Sequence, residues 1–264
     1  MSDPPVKPEV GQPFGIQVPK TLTPARLGIG RTGGSLTTRE ILDFDLAHAR
    51  ARDAVLQHWD LDGFENALKL SKSSQLREWP RLRLASGAGN RAVYLKRPDF
   101  GRRLAREAAA LLKVQPQCCD VAVIVSDGLS AQAASHQAGL VLDHLIQAVV
   151  AKGWSLAPLL LVPYARVGIS DPIGSALNCR ASVILLGERP GLATPESLGA
   201  YFTYEPRPGR TDADRNCISN IHADGQKPSQ AATMIVATIE AAFRLGKGGV
   251  DLSIAMSEPG NRSD

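Results

Sequence analysis

No run of this sequence approaches the roughly 20 apolar residues that a membrane helix needs, so no membrane enters the reading as a partner. The opening MSDPPVKPEV has no apolar centre and does not read as a secretory signal; the cytoplasm is the expected compartment. Cysteine is scarce. Cys118 and Cys119 are adjacent, Cys179 and Cys217 stand apart, and no C-x-x-C spacing occurs, so neither a disulfide framework nor a metal cage is expected. Reduced thiols fit the cytoplasm. Aromatic residues make up only 5% and no block of Lys and Arg has the usual length for nucleic acid. The net charge of +4 and pI near 9.0 fit a mildly basic surface facing an anionic partner or a phosphate-bearing ligand as well as they fit nucleic acid, which is the lowest-ranked alternative. G-x-S-x-G, His-x-His and repeats of fixed period are also missing.

What is present is enough for a substantial core: 264 residues, 44% hydrophobic and 21% charged. Residues 1 to 24 carry six prolines and read as a flexible arm. Residues 25 to 115 read as a helix-rich region. Thr37 and Glu40 have capping-box spacing, which predicts a helix over 38–58. The stretch 81–98 alternates on both sides of a Ser, Gly and Asn loop, which predicts a β-hairpin. Asp99 is placed to cap a helix after it.

From residue 116 to about 250 the pattern changes. Apolar runs at 121–125, 159–165 and 182–186, with a possible fourth strand at 200–206, alternate with helical segments. One helix starts after Ser130 and stops at Lys152-Gly153; a short one is capped by Ser170; the last is capped by Ser229. Short apolar strands alternating with helices predict an α/β fold with a parallel sheet. Residues 251 to 264 read as a flexible tail.

In a parallel sheet the carboxyl ends of the strands share one edge, where ligands bind. The segments expected there are SDGLS (126–130), RVGISD (166–171), GERPGL (187–192) and the long loop 207–222. Glu188 and Arg189 then belong to the rim of a binding crevice. GIGRTG (28–33) fits G-x-G-x-x-G, but a Pro-broken stretch precedes it and no strand leads into it, so it reads as a turn-rich linker. Cys217 and His222 could suggest a thiol nucleophile, but a small cysteine lining a pocket is preferred. Asp127 reads as a turn stabiliser. His48, His58, His136 and His144 read as helix-surface or packing residues. No self-sufficient catalytic set is found. A non-catalytic interaction subunit and a dinucleotide-binding oxidoreductase are the alternative readings.

Five blocks, TPARLGIGRTGGSLTTREILDFDLAHARARDAV, YLKRPDFGRRL, VSDGLSAQA, LLGERPGL and GRTDADRNCISNIH, resemble in order and spacing the small subunit (light chain) of ethanolamine ammonia-lyase, from about Thr23 to Ala242. The resemblance implies a Rossmann-like cobalamin-binding domain over 116–250, preceded by a region that docks on the large subunit. It implies a lyase converting ethanolamine to acetaldehyde and ammonia by radical chemistry with adenosylcobalamin. The large subunit would hold most of the ethanolamine contacts, and the cofactor would lie between the subunits. Matching positions carry cofactor contact to Val167, Glu188 and Cys217, with no catalytic residue and no protein metal ligand on this chain. Gly128, Ser130 and Arg189 are added from loop position alone. Pro163 and Ala165 depart from the family's pattern. The proline-rich arm lacks the amphipathic pattern that directs some relatives into a microcompartment, so encapsulation is less expected than the cytoplasm.

Overall fold

The computed structural model describes residues 31–192 and 194–258. Two short strands, β1 (Arg31–Thr32) and β2 (Ser35–Leu36), pair antiparallel around Gly33, whose φ is +62°. The first half of GIGRTG and the whole of the 1–24 arm lie outside the described residues. The described part of that motif, Arg31 to Gly33, enters a hairpin. Helix α1 (Thr38–Leu56) follows, and its expected cap is present: the Thr37 side chain accepts from the Glu40 N–H at 3.3 Å. Helices α2 (Leu61–Lys69) and α3 (Ser74–Glu78) come next, capped by Asp60 and Ser73.

The expected hairpin at 81–98 is not formed. Its first half is strand β3 (Arg81–Arg83), which pairs in parallel with a strand far along the chain. Its second half is helix α4 (Arg91–Lys96). The Asn90 side chain accepts from Val93 N–H at 2.9 Å and starts the helix, and Arg91 and Tyr94, three apart, are the buried pair. What looked like strand alternation was one turn of helix. The helix expected after Asp99 is split into a 3₁₀ turn (Phe100–Arg102) and α5 (Arg106–Lys113).

The sheet is built from β3, β4 (Val121–Ser126), β5 (Leu159–Leu161), β6 (Ala181–Gly187), β7 (Leu198–Tyr204) and β8 (Arg215–Ile221), in the order β3-β5-β4-β6-β7-β8. The first four run parallel, but β7 pairs antiparallel with β6, and β8 antiparallel with β7. The sheet is therefore mixed, which corrects the wholly parallel sheet expected. It also takes its edge strand β3 from the region read as a separate helical unit.

Helices cover both faces. On one side lie α6 (Ala131–Ala133), a π-helical turn (Ala134–Ala138), α7 (Gly139–Ala151), α9 (Pro228–Leu245) and α10 (Gly249–Ser257), packed on Val123, Val125, Leu185 and Phe202. On the other lie α5 and α8 (Ser170–Ala176), packed on Ile124, Leu160 and Ile184. Every residue of β4, β5 and β6 is buried, as a strand sandwiched between helices requires. Helix α9 starts at Pro228, one residue before the expected cap at Ser229, since a proline fits the first helical position.

The tail expected from 251 is helical to Ser257. The Asn216 side chain brackets its start, accepting from Gly249 N–H at 2.8 Å and donating to Gly249 O at 2.9 Å, and Leu252 is fully buried.

The expectation of four reduced cysteines is also corrected: Cys119 and Cys179 form a disulfide. The parallel register explains the pairing. Val121 sits opposite Ala181, so the residues two places before each strand are also neighbours, with Cα atoms 4.6 Å apart. Cys118 and Cys217 are free. Among the described residues no helix is long and apolar enough to cross a membrane.

Candidate functional site

The rim follows from strand direction, with one correction. The turns after β4, β5 and β6 do share the carboxyl edge. Strand β7 runs back, so the loop after it emerges at the opposite edge, and the second half of the segment expected as loop 207–222 is largely strand β8 (Arg215–Ile221).

Glycine lets the rim turns close on each other. A Cβ on Gly128 would lie within 3 Å of Leu186 Cγ, and Leu129 N–H donates to Gly187 O at 2.8 Å. Gly128 also has φ +50°. A Cβ on Gly187 would in turn strike the carbonyl carbon of Ser130 at 2.8 Å. This is why Gly187 separates the buried strand from Glu188. Ser130 is fully buried; it caps α6 through Ala133 N–H at 3.1 Å and donates to Pro195 O at 2.7 Å. Gly128 and Ser130 are therefore scaffold, outside the lining of the cleft.

Asp127 is buried as well. Its carboxylate takes Tyr164 N–H at 2.6 Å and the Arg91 guanidinium at 3.0 Å. Burial pushes its carboxyl up, while Tyr164 N–H and Arg91 pull it down. Arg91 also donates to the carbonyls of Val55, Gly128 and Leu129. Arg91 is a structural centre that sequence reading passed over, because it lay inside the supposed hairpin.

A cleft of about 1300 Å³ opens from this rim and runs down the α5/α8 face of the sheet. Among the described residues, helices α9 and α10 and the π-helical turn pack on β7 and β8 from the opposite face, so this side of the ribbon is left as a floor. Partners across strands share a face, so the Ile184–Tyr201–Cys217 row lies on one side. Tyr201 and Cys217 line the cleft. Arg215, two residues before Cys217, forms a buried bidentate pair with Asp171 of α8 at 2.7 and 2.9 Å, tying β8 to the opposite wall.

The cleft brings together all three residues assigned to the cofactor, Val167, Glu188 and Cys217, and also Arg189. Val167 sits at the start of a 3₁₀ turn (Val167–Ile169). Glu188 Oε2 accepts from Ser197 Oγ at 2.5 Å and from Asn220 N–H at 3.3 Å, while Oε1 takes no hydrogen bond among the described residues. Partial desolvation pushes the Cys217 thiol up; the Tyr201 hydroxyl opposes this and the Glu188 charge adds to it. The thiol is therefore protonated at neutral pH, which suits a wall and not a nucleophile. His222 turns away: it bonds Asn220 Oδ1 at 2.8 Å and accepts from Asp224 N–H. Tyr201 was missed by sequence reading as a floor residue, although the strict two-residue period of YFTY places it opposite Phe202.

Of the other histidines, His58 falls past the end of α1, with Nδ1 3.3 Å from Tyr164 Oη, and His136 pairs with Glu196 at 2.9 Å.

The model of the ethanolamine ammonia-lyase light chain matches residues 15–253. A protein of Xanthomonas campestris pv. campestris named ethanolamine ammonia-lyase small subunit is 44% identical over 244 residues, covering 91% of this chain and 88% of its own length. One of the same name from Pseudomonas fluorescens (strain SBW25) is 44% identical over 258 residues, covering 96% and 90%.

Proposed function

The chain belongs to the ethanolamine ammonia-lyase light-chain family and so is one subunit of a lyase, and from that premise we propose that its cleft forms one wall of an adenosylcobalamin site completed by the large subunit. The reaction is the conversion of ethanolamine to acetaldehyde and ammonia, with ethanolamine held mainly by the large subunit. The observation that carries this reading is the cleft. Its volume of about 1300 Å³ exceeds the ~300–1,000 Å³ of ordinary small-ligand sites. A wide, flat cofactor with an apolar face and a fringe of amides suits such a space.

The residues fit that group. Val167 and Tyr201 offer apolar surface to a macrocycle, and Cys217 offers a small neutral wall. Glu188 keeps one oxygen free to accept from a side-chain amide of the cofactor, and Ser197 and Asn220 fix the other. Adenosylcobalamin, when bound, supplies the radical chemistry; this chain binds, orients and shields. No residue of this chain is assigned a catalytic role in the proposal. The helical region with its exposed α1 is proposed to dock on the large subunit, and the assembly is placed in the cytoplasm.

The test is to co-express the chain with a large subunit, purify the complex and titrate cobalamin by its visible spectrum. Saturable binding that needs both chains is the expected result. Associated, folded subunits that bind no corrinoid would leave a docking subunit and remove the cofactor from the cleft.

A further inference from the structure

Two 3₁₀ turns cross at the rim end of the cleft. Each presents a glycine to the arginine of the other. A Cβ on Gly101 would lie 2.8 Å from Arg166 Cγ, and a Cβ on Gly168 would lie 3.4 Å from Arg102 Cγ. Arg166 N–H donates to Gly101 O at 2.7 Å and locks the crossing. Both arginines line the cleft. Two cationic side chains thus line one end of the cleft, where an anion would be favoured.

The charges around them do not supply that anion. Arg215 is paired with Asp171 and Arg210 with Asp214. Among the described residues no carboxylate lies within ion-pair distance of Arg102, Arg103, Arg166 or Arg189. Arg166 stacks on the Tyr94 ring, with its guanidinium carbon 4.2 Å from the centroid. Stacking uses the face of the guanidinium and leaves its edge for an in-plane acceptor. That edge is poorly used: one Nη makes a long 3.4 Å bond to Tyr94 O, and Nε has no partner. The Tyr94 hydroxyl, fully buried beside it, also lacks a partner.

We propose that Arg102 and Arg166 form a subsite for a phosphate-class anion at the rim end of the cleft, and that it takes the phosphodiester in the nucleotide loop of the corrinoid. The second half rests on the cofactor reading above. The periphery of cobalamin carries neutral amides, and its phosphodiester is the one anionic group there. Two guanidinium forks suit its oxygens.

The test uses the complex with the large subunit, as wild type, Arg102→Met and Arg166→Met. Each is titrated with cobalamin, with cobinamide, which lacks the nucleotide loop, and with cobinamide phosphate. Loss of one charge-assisted contact is worth about tenfold or more in affinity. We expect that loss for cobalamin and cobinamide phosphate, with cobinamide changed less than twofold. The salt dependence of cobalamin binding should also weaken in both variants.

An equal loss for cobinamide would overturn the proposal, because the arginines would then only shape the cleft. So would unchanged affinities, or variants that no longer associate with the large subunit, which would assign the charges to a protein contact. Arg102 is exposed, so its variant guards against a folding failure at Arg166. If wild type binds no corrinoid at all, the cofactor reading fails by itself. The subsite is then judged with inorganic phosphate: a thermal shift lost in both variants supports a free-phosphate site, and no shift in wild type sinks it.

Discussion

At Gly199 a side chain has nowhere to go. A Cβ there would lie 2.7 Å from Glu188 Oε1, the oxygen left open toward the cleft, and 3.0 Å from the Tyr201 ring. Gly199→Ala should therefore push the Glu188 carboxylate and weaken cobalamin binding by about tenfold, the worth of one charge-assisted hydrogen bond. Glu188→Ala should lose at least as much while the subunits still assemble; unchanged affinity in a cobalamin titration would take Glu188 out of the site. Cys217 supports a chemical version of the test. Its raised pKa keeps the thiol protonated at neutral pH, so alkylation should speed up as pH rises. Bound cobalamin should shield Cys217 and leave the exposed Cys118 reacting as before. Equal rates at Cys217 with and without cobalamin, read by peptide mass, would place the cofactor elsewhere. Arg91 is a different case. Replaced by Met, it would strand a fully buried Asp127 and free the rim carbonyls of Gly128 and Leu129 and the α1 carbonyl of Val55, and a loss of about 3–5 kcal/mol in a denaturant titration is expected.

Elements differ in how well the sequence announces them. Strands β4 and β6 are visible as β-branched, wholly apolar runs, because burial on both faces leaves no other choice. The direction of β7 was not visible. A strand's residues do not record whether the chain returns by a hairpin or a crossover, and only ten residues join Gly187 to Leu198, too few for a crossover helix. The same limit hid the site's floor: Cys217 was found through its motif, but its place beside Tyr201 needed the antiparallel register. Arg83 shows a pairing that spacing could not announce. It ties edge strand β3 to α2 through two bonds to Glu65, at 2.9 and 2.8 Å. The Arg83 hydrogen bonds hold the Glu65 carboxyl below its ordinary 4.5. A depressed acid pKa stabilises the fold above the unfolded value and loses that effect as pH falls through the folded one. The gap in denaturant midpoint between wild type and Arg83→Met should thus be widest above pH 4.5 and close in acid. A gap that persists in acid would mean that Arg83 acts by packing alone.

On the scale of the whole molecule, α1 is the element least explained by the chain itself. It runs for 19 residues, and only Ala54 is buried. Ile41, Leu42, Phe44, Leu46 and Leu56 are all exposed. Leu42, Leu46 and Leu56 fall near one face of the helix, and among the described residues that face meets no core. A helix gains most of its stability by burying such a face, so a partner is expected to cover it. The large subunit is the partner that membership of the family implies. Fully burying a leucine is worth about 1.5–3 kcal/mol, so Leu42→Glu with Leu46→Glu should weaken association by roughly a hundredfold or more. The cleft lies on another part of the fold, and the far-ultraviolet circular dichroism of the variant should match wild type. Gel filtration of the co-expressed pair reads the outcome. Separate peaks with a folded small subunit would assign α1 to the subunit interface; an intact complex would show that the large subunit is held elsewhere and leave the apolar face for another partner.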